Sequence, residues 1–254
     1  MAVIGMMDSG VGGLSVLREV YRLLPGERYV YFADNANCPY GEKSQEFILE
    51  RCREITRMML DRGAQAMVIA CNTATAAAIA ELRAEFDIPF IGMEPAVKPA
   101  ALGTRSGVIG VLATAGTLKA SKYLKTRGRF EEDVKIVEHV GSGFVELVEA
   151  GDTASDHARE IVGRSLQPLL DAGADNIVLG CTHYPFLQGL ISEIAGPDVR
   201  VIDPAPAVAR RLLDVLRENG ISGTDPRPGV ELHASGSDKV LNSIWEFVLK
   251  SLTL

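Results

Sequence analysis

The sequence predicts an α/β fold made of two similar halves, and three observations carry that expectation. Two apolar runs, MVIACNTAT at residues 67–75 and IVLGCTHYP at residues 177–185, each end in a cysteine followed by polar residues. Strand-like runs alternate with stretches of helical periodicity along the chain. The pattern then restarts: IGMMDSG at residues 4–10 reappears as IGVLATAG at residues 109–116, and Cys71 and Cys181 lie 110 residues apart. Unbroken aliphatic runs mark strands buried on both faces, and their alternation with helices marks a parallel sheet. Such sheets gather ligand chemistry at the carboxyl ends of their strands.

In order, residues 2–7 read as a strand and Asp8–Gly13 as the loop after it. Leu14, Val16, Leu17, Val20, Leu23 and Leu24 recur at helical spacing and stop at Pro25-Gly26. Residues 29–33 form a strand, 34–44 a polar loop, 46–62 a helix, 66–70 a strand, 75–86 an alanine-rich helix and 89–93 a strand. Glu94-Pro95 marks a crossing between domains. The second half repeats the order with strands at 107–112, 134–139, 176–180 and 200–203, and helices at 118–127, 143–149, 156–172 and 185–194. A helix at 206–218, a strand at 230–234 and a helix at 239–250 are too few to stand alone and are expected to pack on the first half. The reading is two Rossmann-like or flavodoxin-like α/β domains related by pseudo-symmetry, residues 1–95 plus 206–254 and residues 96–205, with the active site in the cleft between them.

A chain of 254 residues with 47% hydrophobic and 23% charged residues buries a substantial core. Its net charge of −7 argues against a general nucleic-acid binder. An anionic substrate stays open, because clustered backbone N–H groups bind carboxylates whatever the overall charge. The start, MAVIGMMDSG, lacks the basic region of a secretory leader, and no apolar run is long enough for a membrane span. Cys38, Cys52, Cys71 and Cys181 form no CxxC pair, so no metal site is expected and the thiols are read as free in a reducing compartment.

DSGVGG after a strand is neither G-x-G-x-x-G nor a Walker A motif. It reads as a turn rich in backbone donors, with Asp8 and Ser9 projecting into a site, although either residue before a helix also serves as a cap. A single buried cysteine is ordinarily a small apolar side chain. Two of them at corresponding positions of a repeat, Cys71 and Cys181, point instead to paired chemistry, in which one thiol takes a proton from one face of a carbon and the other gives a proton to the opposite face. Cys38 in a loop and Cys52 in a helix have no counterpart and are read as non-catalytic. A thiol with a pKa of about 8.5 becomes a useful general base in a water-poor site. The carbanion it creates needs donors aimed at the neighbouring carboxylate, and Asn72, Thr73 and Thr182 supply them. His183 is placed to orient or protonate a neighbour. No lysine stands at a strand end where a pyridoxal aldimine would form.

These residues, taken in order, resemble the glutamate racemases of the cofactor-independent aspartate/glutamate racemase superfamily. The resemblance runs through Asp8-Ser9-Gly10-Val11-Gly12-Gly13, Asp34 with Pro39-Tyr40-Gly41, Ala70-Cys71-Asn72-Thr73 and Gly180-Cys181-Thr182-His183-Tyr184-Pro185. It implies that Cys71 serves D-glutamate and Cys181 L-glutamate, with Asp8 and His183 assisting them. It further implies that Ser9, Tyr40, Gly41, Asn72, Thr73 and Thr182 hold substrate, with Thr114 and Thr117 in a similar loop and Glu149 assisting near the second thiol. With it come no cofactor, no metal, no nucleic-acid or membrane partner, a homodimer, a cytoplasmic location and a supply of D-glutamate for peptidoglycan precursors. The chain departs from the usual DTAR at Asp34-Asn35-Ala36-Asn37, before Glu149 at HVGSGFVELVE, and at Asp203-Pro204. A racemase for aspartate or another amino acid, and a non-catalytic binding protein that keeps the fold, are the alternatives.

Overall fold

A computed structural model describes residues 2–221 and 228–252. The chain divides into two compact units, Met1–Met93 with Ala205–Leu254, and Glu94–Pro204. The first opens with β1 (Val3–Asp8), α1 (Leu14–Leu23), β2 (Arg28–Ala33), α2 (Gln45–Asp61), β3 (Ala66–Ile69), α3 (Asn72–Glu85) and β4 (Phe90–Gly92). The second holds α4 (Val97–Gly103), β5 (Val108–Ala113), α5 (Ala115–Lys119), α6 (Ser121–Arg127), β6 (Lys135–Val140), α7 (Phe144–Glu149), α8 (Asp156–Asp171), β7 (Asn176–Gly180), α9 (Gln188–Ala195) and β8 (Arg200–Ile202). The chain then returns to the first unit with α10 (Ala205–Glu218), β9 (Gly229–Ala234) and α11 (Lys239–Leu252).

All strand pairs are parallel. The first sheet runs β4-β3-β1-β2-β9 and the second β6-β5-β7-β8. Substituting β5 to β8 for β1 to β4 turns the order of the first four strands into that of the second sheet, so the repeat seen in the sequence is a repeat of topology. In each sheet the chain leaves the central strand on one side and returns on the other. The resulting switch point lies at the carboxyl ends of β1 and β3 in one unit, and of β5 and β7 in the other.

Burial explains why these runs become central strands. Every residue of β3 and β7 is buried. Met67 and Ile69 pack with Met7, Ile48, Ile55 and Met59 in one core, and Val178 packs with Ile109, Val111 and Tyr123 in the other. Each fully buried aliphatic side chain contributes about 1.5–3 kcal/mol. Strand β9 lies at the edge, partly exposed along its length.

Several elements differ from the sequence reading, among them the helix expected over 185–194, which opens as a 3-10 turn (Tyr184–Leu187) and turns α-helical at Gln188. Helix α3 starts at Asn72 rather than at residue 75, because the Cys71 sulfur caps it by accepting the Ala74 N–H at 3.4 Å. The helix expected over 118–127 is two short ones, α5 and α6, separated by Ala120 in an extended conformation. Helix α4 follows Glu94-Pro95, a stretch rich enough in proline to read as a plain connection. Its Pro99 lies in the first turn, where a missing N–H costs nothing. Among the described residues, no helix is long and apolar enough to cross a membrane.

Candidate active site

In the first unit the switch point brings together Asp8, Ser9, Cys71, Asn72 and Thr73. Register pairs Met7 with Ile69, so the next residues of β1 and β3 carry Ser9 and Cys71 side by side. The Cys71 thiol lies 3.6 Å from the Ser9 hydroxyl. As the cap of the 14-residue α3, the sulfur takes a backbone N–H and faces the positive end of the helix, both of which favour negative charge on it. Thr75 fixes the start of that helix, donating to Ile69 O at 3.0 Å and accepting from Met93 N at 3.0 Å. Asp8 is fully buried and accepts the Gly13 N–H at 2.7 Å. A Cβ on Gly13 would stand 2.7 Å from the Asp8 Cβ and 2.7 Å from the Tyr31 hydroxyl, so only glycine lets the turn close on the carboxylate. Asn72 is 5% exposed, yet neither its amide nitrogen nor its amide oxygen has a hydrogen-bond partner. Buried polar atoms are rarely left so, and a side chain with both ends free is poised for a ligand.

Tyr40 and Gly41 stand in a 3-10 turn (Tyr40–Glu42) on the loop after β2. The buried Tyr40 hydroxyl donates to Asp34 Oδ2 at 2.6 Å, and its ring shares the core with Cys71. Burial, followed by the hydrogen bond to Asp34, pushes the phenol far above its ordinary range, so it stays an O–H donor. Asp34 is a hub. Arg51 of α2 grips it through Nε at 3.0 Å and Nη2 at 2.9 Å, and Asn37 donates at 3.1 Å. Burial pushes the Asp34 carboxyl up, but the hydrogen bonds from Arg51, Tyr40, Asn37 and Ser235 outweigh it and hold the group below the usual carboxylate range. Cys52 lies behind this hub in α2. Burial above all, with the Asp34 charge, pushes its thiol up to about 12, which suits an inert apolar filler.

In the second unit, Ala113 pairs with Gly180, so Thr114 and Cys181 follow on neighbouring strand ends. Thr114 caps α5 by accepting the Thr117 N–H at 3.2 Å, and the two hydroxyls lie 3.0 Å apart. No α-helix starts at Cys181, since the next turn is the 3-10 turn Tyr184–Leu187. Its thiol has a different support: Sγ lies 3.8 Å from His183 Nδ1, and His183 Nε2 lies 2.6 Å from Glu149 Oε1. A carboxylate accepts, so the proton on a neutral ring sits on Nε2 and Nδ1 is left as the acceptor facing the thiol. His183 is buried, and Glu149 is the last residue of α7. The placement of that helix follows from Phe144, whose ring meets Tyr184 edge-on at 4.9 Å. Thr182, also buried, completes the strand end.

The sequence-derived candidates thus fall into two groups of matching topology, Asp8, Ser9, Cys71, Asn72 and Thr73 with Tyr40 and Gly41 nearby, and Thr114, Thr117, Cys181, Thr182 and His183 with Glu149. Sequence reasoning missed Arg51 and the unpartnered state of Asn72. A signal for the first existed: a buried aspartate at a strand end demands a cation, and Arg51 adjoins the buried Cys52 on a helix whose neighbouring face is apolar.

The profile of the Asp/Glu/Hydantoin racemase family matches residues 4–212. Glutamate racemase of Methylococcus capsulatus is 52% identical over 229 residues, 90% of this chain and 84% of the relative. That of Pseudomonas putida is 50% identical over 244 residues, 96% of this chain and 92% of the relative. Among solved structures, the Escherichia coli glutamate racemase in complex with L-glutamate and the activator UDP-MurNAc-ala matches with a TM-score of 0.87 at 34% identity, covering 97% of this chain and 95% of that one. A glutamate racemase isoform of Bacillus anthracis matches with a TM-score of 0.86 at 35% identity, covering 98% and 94%. With its sheets, strand-end thiols and these relatives in agreement, the chain belongs to the Asp/Glu/hydantoin racemase family, in its glutamate racemase branch.

Proposed function

We propose that the protein interconverts L- and D-glutamate by a two-base mechanism that uses its own side chains as acid and base. The observation that carries this is the matched position of two thiols at the ends of corresponding strands, β3 and β7, each with its own means of handling a proton. In the L-to-D direction Cys181, its proton passed to His183 Nδ1, takes the α-proton as thiolate. The electron pair left on the α-carbon spreads into the carboxylate, where Asn72, Thr73, Ser9 and Thr182 offer donors. Cys71 then delivers its thiol proton to the opposite face. The D-to-L direction runs the same steps backwards, beginning with the Cys71 thiolate. Glu149 keeps the His183 ring in the tautomer that can accept from Cys181. Asp8 assists on the Cys71 side, while Tyr40, Gly41, Thr114 and Thr117 complete the substrate surround.

The carbon acid is far weaker than the thiol, so the donors at the carboxylate and exclusion of water bear most of the catalytic burden. A positioned acid–base group typically contributes about 10²–10⁴-fold. A homodimer, a cytoplasmic location and a role in supplying D-glutamate for peptidoglycan complete the proposal, and family likeness supports them. The test is polarimetry of L- and D-glutamate and of L-aspartate with purified protein, with chelator and without pyridoxal phosphate. Decay of rotation from either glutamate enantiomer is expected. Decay with aspartate alone overturns the substrate assignment, and a strict requirement for added metal or pyridoxal phosphate overturns the mechanism.

A further inference from the structure

We propose that Asn35 is a positioning residue for this reaction, clasping the turn after β9 to the loop that bears Tyr40 and Gly41; the inference rests on the glutamate racemase reading above. Asn35 follows the buried Asp34 in the loop after β2. Its amide is used at both ends on a single turn: Nδ2 donates to Ser237 O at 2.6 Å, and Oδ1 accepts the Gly236 N–H at 2.8 Å. The next residue adds a third bond, Ala36 N–H to Ser235 Oγ at 3.0 Å, and Ser235 N–H reaches Ala33 O at 2.9 Å. A Cβ on Gly236 would lie 3.0 Å from Asn35 Oδ1 and 3.4 Å from Ala36 N, so a larger residue there must push the Asn35 amide aside by a few tenths of an ångström.

The clasp matters because of what it is joined to. Ser235 also helps to hold the Asp34 carboxyl below its usual range, and that carboxylate receives Arg51, Asn37 and the Tyr40 hydroxyl. The loop from Asp34 to Tyr40 is therefore gripped from two sides, by α2 through Arg51 and by the β9–α11 turn through Asn35 and Ser235. Helix α11 in turn packs on α1, with Trp245 edge-on to Tyr21 at 5.9 Å. The turn that Asn35 clasps lies 201 to 202 residues further along the chain, so the C-terminal part of the chain helps to set where Tyr40 and Gly41 meet a substrate.

The test uses the full chain carrying Asn35→Ala. Losing two exposed hydrogen bonds should raise KM for both glutamate enantiomers about threefold or more while kcat changes by less than about twofold. Gly236→Ala, which wedges the clasp from its other side, should move KM the same way. Tyr40→Phe loosens the same loop, so the double variant with Asn35→Ala should lose less than the product of the two single effects. Amide hydrogen exchange over residues 36–43 should quicken in Asn35→Ala whether or not substrate is present. An active enzyme whose KM is unmoved by Asn35→Ala, multiplicative effects with Tyr40→Phe, or unchanged exchange over 36–43 overturns the inference. A wild-type protein that racemises no glutamate overturns instead the reading on which it rests.

Discussion

Replacing Arg51 with methionine removes the guanidinium that grips the buried carboxylate of Asp34 while keeping most of the apolar stem. Two charge-assisted hydrogen bonds are lost, at 3.0 and 2.9 Å. Such bonds contribute about 1.5–3 kcal/mol each, and breaking a buried ion pair from one side costs about 3–5 kcal/mol. Tyr40 and Asn37 go on donating, and the Arg51 side chain is 24% exposed, so the loss belongs at the lower end, about 3 kcal/mol at pH 7. The pH dependence follows in sign. In the wild type the folded Asp34 titrates below the ordinary value of 3.8, so it contributes stability above that value that is lost as pH falls through the folded pKa. In the variant the Arg51 bonds no longer oppose burial, and the folded pKa rises above that of the wild type. The penalty is then full at neutral pH and shrinks as the carboxyl takes up a proton in the folded state. Urea denaturation of both proteins at pH steps from about 7 down to about 3.5 measures this. A difference that narrows steadily with acid is expected. A difference below about 1 kcal/mol at pH 7, or one that does not change with pH, refutes the hub role given to Asp34.

Asn72→Leu should leave the ligand-free protein as stable as the wild type or more stable by about 1 kcal/mol, because it removes two buried polar atoms without partners. It should also raise KM for glutamate by about 30-fold or more, since the donor and acceptor meant for substrate are gone. Thermal melting without ligand and steady-state kinetics check this, and destabilisation with an unchanged KM contradicts it. Glu149→Gln should lower kcat/KM about tenfold or more, by the same factor for both enantiomers because their equilibrium constant is one, and should raise the α-deuterium isotope effect more with L-glutamate, whose proton Cys181 is proposed to take, than with D-glutamate. Isotope effects that rise equally with the two enantiomers speak against that assignment. Native protein at pH 8 should resist alkylation at Cys52, whose thiol is pushed up to about 12, and should take the label there only after unfolding, as read by peptide mass mapping.

The strands and both thiols are legible in the sequence because burial on two faces leaves an unmistakable aliphatic run, and because Cys71 and Cys181 each sit where such a run stops. The repeat was legible for the same reason: Ile4-Gly5 and Ile109-Gly110 open central strands with the same neighbours in each sheet. What stays hidden is what depends on contacts between separate elements. Arg51 meets Asp34 across 17 residues, and Asn35 meets Ser237 across 202, so no local pattern announces either. The early start of α3 escapes because cysteine is not among the usual capping residues. The differing supports of the two thiols, a helix end for Cys71 and a histidine–glutamate pair for Cys181, emerge only with the turn types that follow β3 and β7.

Following the α-proton shows whether two thiols exchange it on one substrate. L- or D-glutamate is incubated in D₂O with wild-type protein, Cys71→Ala and Cys181→Ala, and both α-deuterium content and rotation are recorded. Wild type should wash deuterium into the α-position as rotation decays, and each single variant should lose racemisation by at least about 10²-fold in both directions. Full racemisation by both single variants would contradict the two-thiol exchange.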